Sequence, residues 1–86
     1  MNAHPPIDNA EQAMSRRRDN LRDILNEMLW GCAIHSNIGR DCIELQDDAG
    51  LEYAVRNVVA RAKVMRDTMV LLKQAKLPPA ETAADE

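Results

Sequence analysis

From residue 51 onward the chain carries apolar side chains at Leu51, Val55, Val58, Ala62, Met65, Met69 and Leu72, in strictly alternating steps of four and three. A helix turns about 100° per residue, so this spacing lines one side of it with a continuous seam. A strand, whose faces alternate every two residues, has no use for it. The seam predicts a helix over 51–76 that ends before Pro78 and Pro79, with Lys73 and Lys76 complementing the negative end of its dipole. Three such repeats serve any pair of packed helices and do not by themselves demand a coiled coil.

A second stretch has helical spacing. Leu21, Ile24, Leu25, Met28, Cys32, Cys42 and Ile43 fall within one stripe of a first helix. Asp8 and Glu11 have the spacing of a capping box, which starts that helix near Asn9. Its polar early part is expected to fray, so that firm helix begins near Asp19. Gly31 and Gly39 weaken it, and Ser36-Asn37-Ile38-Gly39 offers a place to split it; the reading adopted is one helix to about Gln46. Asp47-Asp48-Ala49-Gly50 is the strong internal turn signal, with Asp48 assigned as cap of the second helix. The expected layout is a flexible 1–8, a helix over 9–46, a turn at 47–50, a helix over 51–76 and a flexible acidic tail at 78–86. Two helices joined by so short a turn make an all-α antiparallel hairpin.

Composition narrows the alternatives. Aromatics make up only 2% of the chain, and β-branched residues are too scattered for strands, which excludes an all-β fold. Eighty-six residues hold one small domain. No run approaches the 18 apolar residues of a membrane span, and MNAHPPIDNA has neither a basic leader nor an apolar core, so the expected address is the cytoplasm, away from membranes. Cys32 and Cys42, about 15 Å apart on one continuous helix, cannot bond to each other and read as reduced small hydrophobes.

Each helix also carries a second apolar stripe. On the first it is Trp30, Ile34, Ile38 and Leu45; on the second, Tyr53, Ala60, Val64 and Leu71. A two-helix hairpin covers one face per helix, so the other stripes need a cover. A small hairpin also buries too little apolar area, at about 25 cal/mol/Å², to offset the roughly 1.5 kcal/mol that each ordered residue loses in entropy. Both arguments lead to a homodimer that closes a four-helix bundle. Leu21, Leu25, Met28, Leu51, Val55, Val58, Met65, Met69 and Leu72 are its expected hairpin or dimer core. Trp30, Ile34, Ile38 and Tyr53 are the expected anchors for another protein, because exposed Trp and Tyr residues dominate binding hot spots.

Other chemistry is weighed and set aside. Cys32 and His35 share a helix face but Cys42 is too distant to join them, so no metal site is expected. Asp41, Glu44, Asp47, Asp48 and Glu52 cluster near the turn without the register of a calcium loop and read as a solvated cap. Arg16, Arg17, Arg18 and Arg22 could contact phosphates, as could the basic second helix. With no stacking aromatic among them and a net charge of -3, nucleic acid is the second choice as a partner. No phosphate loop, nucleophile elbow or acid–base pair is present, so no catalytic residue and no cofactor are expected. The functional expectation is a small regulator, adaptor or inhibitor that binds another protein; the alternatives are a nucleic-acid-associated protein and a subunit of a larger helical assembly.

Overall fold

A computed structural model describes residues 6–76, which form two helices, α1 (Pro6–Glu44) and α2 (Asp48–Lys76). The expected tail at 78–86 and the first five residues lie outside the described part. Gly39 lies against Ala54, Cys32 against Val58 and Gly31 against Arg61, so position rises on one helix as it falls on the other. The chain is an all-helical antiparallel hairpin with no strand among the described residues.

α1 runs without a break through Gly31 and Gly39. It begins at Pro6, which places Asp8 inside the first turn, ahead of the expected start at Asn9. A proline suits that position because the amide it lacks would be an unpaired donor there. The stretch from Ala10 to Arg18, expected to fray, is helical and rich in strong helix formers.

The reversal is tighter than the turn signal implied and sits earlier, at Leu45–Asp47. The Asp47 amide donates to the Cys42 carbonyl at 2.8 Å and the Gln46 amide to the Ile43 carbonyl at 3.1 Å, the two bonds of a Schellman stop. Gln46 takes the left-handed conformation that stop requires, with φ 57°. Asp47, not Asp48, then caps α2: its Oδ1 accepts the Gly50 amide at 3.0 Å, the third amide of the helix, whereas Asp48 lies in the first turn facing the dipole. Gly50 therefore belongs to α2. A Cβ there would lie 2.5 Å from Asp47 Oδ2 and 2.8 Å from Cys42 Sγ, so the residue is small to make room for the cap.

Two heptad-spaced series meet in the seam. α1 contributes Leu21, Leu25, Met28, Cys32, His35, Gly39 and Cys42; α2 contributes Leu51, Ala54, Val58, Arg61, Met65, Thr68 and Leu72, all buried or half-buried. The α2 seam is thus rotated from the expected one. Leu51, Val58, Met65 and Leu72 face α1, but Val55, Ala62 and Met69 lie on the flank, exposed, and smaller or polar residues take their places. Ile24 and Ile43 likewise leave the α1 seam for its flanks, both exposed. Gly39 and Ala54, the latter 1% exposed, let the helices approach closely near the turn. Thr68 is satisfied by donating its hydroxyl to the Val64 carbonyl at 2.7 Å, and the Arg61 guanidinium, lying across Gly31, donates to Asn57 Oδ1 at 3.2 Å.

Candidate interaction surfaces

Because α1 and α2 lie side by side, the hairpin presents two broad faces, and helical periodicity assigns residues to each. One bears a groove of about 280 Å³, floored by Ala54 and Val58, walled by Ile43, Val55 and Val59, and rimmed by Arg40. Residues seven apart share a face, so Leu29 joins Ile43, Ala62 and Met69 join Val55, and Arg66 and Lys73 join Val59. Ile43 is 60% exposed and Val55 50%.

The opposite face is reached by moving two residues, or 200°, along either helix. Tyr53 stands there, its ring centroid 6.2 Å from that of His35, whose Nδ1 lies 3.1 Å from the Gly31 carbonyl. Ile24, Ile38 and Leu45 form an α1 column at intervals of seven through Gly31; Val64 and Leu71 form an α2 column through Asn57. Both columns are exposed at their large apolar residues.

The expected anchors divide between positions. Ile38 and Tyr53 belong to the tyrosine face, and Ile34 lies one column outward on α1, half-buried. Trp30 shares a column with Asp23, Asn37 and Glu44 on the back of α1, away from α2, and is 70% exposed. A hairpin partner helix covers none of it.

The arginines expected at a phosphate contact do not converge. Arg16, Arg17 and Arg18 are consecutive and so point 100° apart; Arg18 is half-buried beside the seam, and Arg22 pairs with Asp19 at 3.4 Å. They belong to the open end of the hairpin, where α1 outruns α2. The other ion pairs among the described residues, Arg56–Glu52 at 2.9 Å and Arg66–Asp67 at 3.1 Å, are well exposed and of the kind that contributes little to stability.

Both cysteines are free thiols. Cys32 Sγ points toward the Val58 carbonyl and Cys42 Sγ toward Asp47 Oδ2, each at 4.0 Å. Burial, with the nearby Asp47 and Asp41 carboxylates adding to it, pushes the Cys42 thiol above its ordinary range. A protonated thiol beside Asp47 donates toward the carboxylate that caps α2, which makes Cys42 part of the turn. Among the described residues no three His, Cys, Asp or Glu side chains gather as a metal site would require, and no helix is long and apolar enough to cross a membrane.

The groove and the charge order around it were missed in the sequence; reading the chain in columns of seven on both flanks of each seam would have exposed them. Compared with known proteins, the chain matches no family model, no curated protein and no solved structure.

Proposed function

We propose that this chain is a small cytoplasmic protein-interaction module, a homodimer of hairpins that regulates, adapts or inhibits another protein by binding it and performs no chemistry of its own. One observation carries the reading: large apolar side chains stand exposed in columns on both broad faces, while Leu21, Cys42, Ala54 and Leu72 are the only apolar side chains buried among the described residues. A monomer in water gains nothing from such columns, and contiguous exposed apolar surface is the usual mark of an interface. The anchors for the other protein are Ile34, Ile38 and Tyr53 on and beside the tyrosine face, with Trp30 on the neighbouring back of α1. Glu27, Asp41 and Asp67 flank that surface, so a basic rim on the partner suits it.

The test is capture with the full chain as bait, with and without nuclease, beside an Ile38→Asp bait whose helicity is confirmed by circular dichroism. A discrete protein that survives nuclease and is lost with Ile38→Asp supports the reading. Capture that vanishes with nuclease and persists with Ile38→Asp refutes it and favours the open-end arginines as a phosphate contact.

A further inference from the structure

The two broad faces differ in how their charge is ordered. On the groove face, the α2 columns begin at the turn with Asp48 and Glu52, continue through Val55, Val59 and Ala62, and end at the open end with Arg66 and Lys73. Along α2, acid therefore lies toward the turn, base toward the open end, and apolar surface between; Arg40 of α1 adds one base near the turn, and Glu52 and Arg66 also have exposed partners, Arg56 and Asp67, in their own chain. The tyrosine face lacks that order across its apolar columns, since Asp41 near the turn and Glu27 and Asp67 further along are all acidic, with Arg17 beyond them at the open end of the Ile24 column. Turned onto a copy of itself in either direction, the tyrosine face sets like charges together. The groove face does so only when both turns lie at the same end. When the turn of one copy lies over the open end of the other, the α2 acids of each copy meet the α2 bases of the other at both ends.

We infer that the groove face is the homodimer interface and that the two hairpins pack on it antiparallel, each turn over the other's open end. A two-fold axis between Val59 and Ala62 sets each of these against the other in its counterpart, Val55 against Arg66, and Asp48 against Lys73. It also brings Glu52 within a helical turn of Arg66 and Lys73 of the other copy. The apolar floor and walls of the two grooves then close on each other as the centre of a four-helix bundle. The area is sufficient. α2 is about 43 Å long at 1.5 Å per residue, and two helices 8–10 Å apart span about 20 Å, so the face offers roughly 800 Å² per copy, what a stable interface takes from each partner. The tyrosine face and Trp30 stay outside the bundle and free for a different protein.

This assignment rests on the homodimer of the proposed function, and the experiment separates the two. Sedimentation equilibrium on the full chain is expected to give twice the 9.7 kDa chain mass. Val59→Asp is expected to give the single-chain mass with helicity retained. Asp48→Lys with Glu52→Lys raises the dissociation constant at least tenfold, and adding Arg66→Glu with Lys73→Glu to the same chain restores it, which also shows that the lysines have not simply unwound α2. A wild-type monomer overturns both the dimer and the face. A dimer indifferent to Val59→Asp overturns the face alone. One that Val59→Asp breaks but the Asp48 and Glu52 reversal leaves intact overturns the antiparallel arrangement, as does a fourfold variant that stays dissociated.

Discussion

The same substitution at two glycines near the turn should have opposite effects. Gly39 and Gly50 are both helical, so alanine at either gains about 1 kcal/mol of helix propensity. At Gly39 the new methyl meets the Ala54 Cβ at 3.4 Å and Leu51 Cδ1 at 3.7 Å, ordinary contact that costs at most a few tenths of that gain. Gly39→Ala is therefore expected to stabilise the fold by about 0.5 kcal/mol or slightly more. At Gly50 the methyl would stand 2.5 Å from Asp47 Oδ2 and 2.8 Å from Cys42 Sγ, and neither can withdraw freely. The carboxylate is fixed by its bond to the Gly50 amide, and the thiol sits on the buried side of α1. Displacing the cap costs about 1 kcal/mol and overpacking costs another 1–3, which leaves a net loss of roughly 1–3 kcal/mol after the propensity gain. At about 4–8 °C per kcal/mol for a domain of this size, the two variants should straddle the wild type and differ by roughly 6–28 °C in melting temperature. Thermal denaturation followed by circular dichroism, at one fixed chain concentration, reads the difference. If both variants shift in the same direction, the cap geometry or the close approach at Gly39 is wrong.

Two further outcomes are expected. Gln46→Gly removes the cost of holding a side chain in the left-handed region, at φ 57°, and should raise stability by about 0.5–1 kcal/mol in urea titration; no gain would mean that the Schellman stop is not kept in solution. Cys42 is neutral in both states at pH 7, but its folded pKa lies above the ordinary 9.0, so the unfolded chain loses the proton first as pH rises. Stability should accordingly fall as pH climbs from about that ordinary value through the higher folded one, and Cys42→Ala should flatten the decline; an equal decline in both proteins would place its cause elsewhere.

Much of the fold was readable in the chain because helix, turn and apolar spacing each leave a direct mark. In α2, large apolar residues do not by themselves mark the seam. In α2 the helix-facing positions between Leu51, Val58, Met65 and Leu72 hold Ala54, Arg61 and Thr68, which are small or polar, while the flank holds Val55, Ala62 and Met69. The flank therefore imitated the seam. Arg61 is tolerated inside because Gly31 opposite leaves a channel for its side chain and Asn57 receives its guanidinium, a relation between the two helices that neither sequence segment announces alone. The turn was located but its roles were misassigned. Gly50 suggested the bend although its purpose is space for Asp47, and the left-handed residue is Gln46, a type with no preference for that conformation. Of the expected partner anchors Trp30, Ile38 and Tyr53 are exposed and Ile34 is half-buried, and their division between a broad face and the back of α1 follows from the rotation of the seam.

That rotation has a consequence for how such a chain chooses partners. Were Val55, Ala62 and Met69 turned toward α1, the groove face would lose its apolar centre, and Asp48 and Lys73 would be ordinary surface charges. With smaller residues in the seam, the hairpin gives up internal burial and gains a valine-lined strip bounded by opposite charges at its two ends. In the dimer inferred above, such a strip favours a reversed copy of itself over a parallel one, because the parallel arrangement sets the α2 acids on each other and the α2 bases on each other. The tyrosine face, with acids at Asp41, Glu27 and Asp67, carries no such opposed ends along its apolar columns. On the proposed reading, one helical rotation separates self-association from the binding of a different protein, and a substitution on either face should disturb one association and leave the other intact.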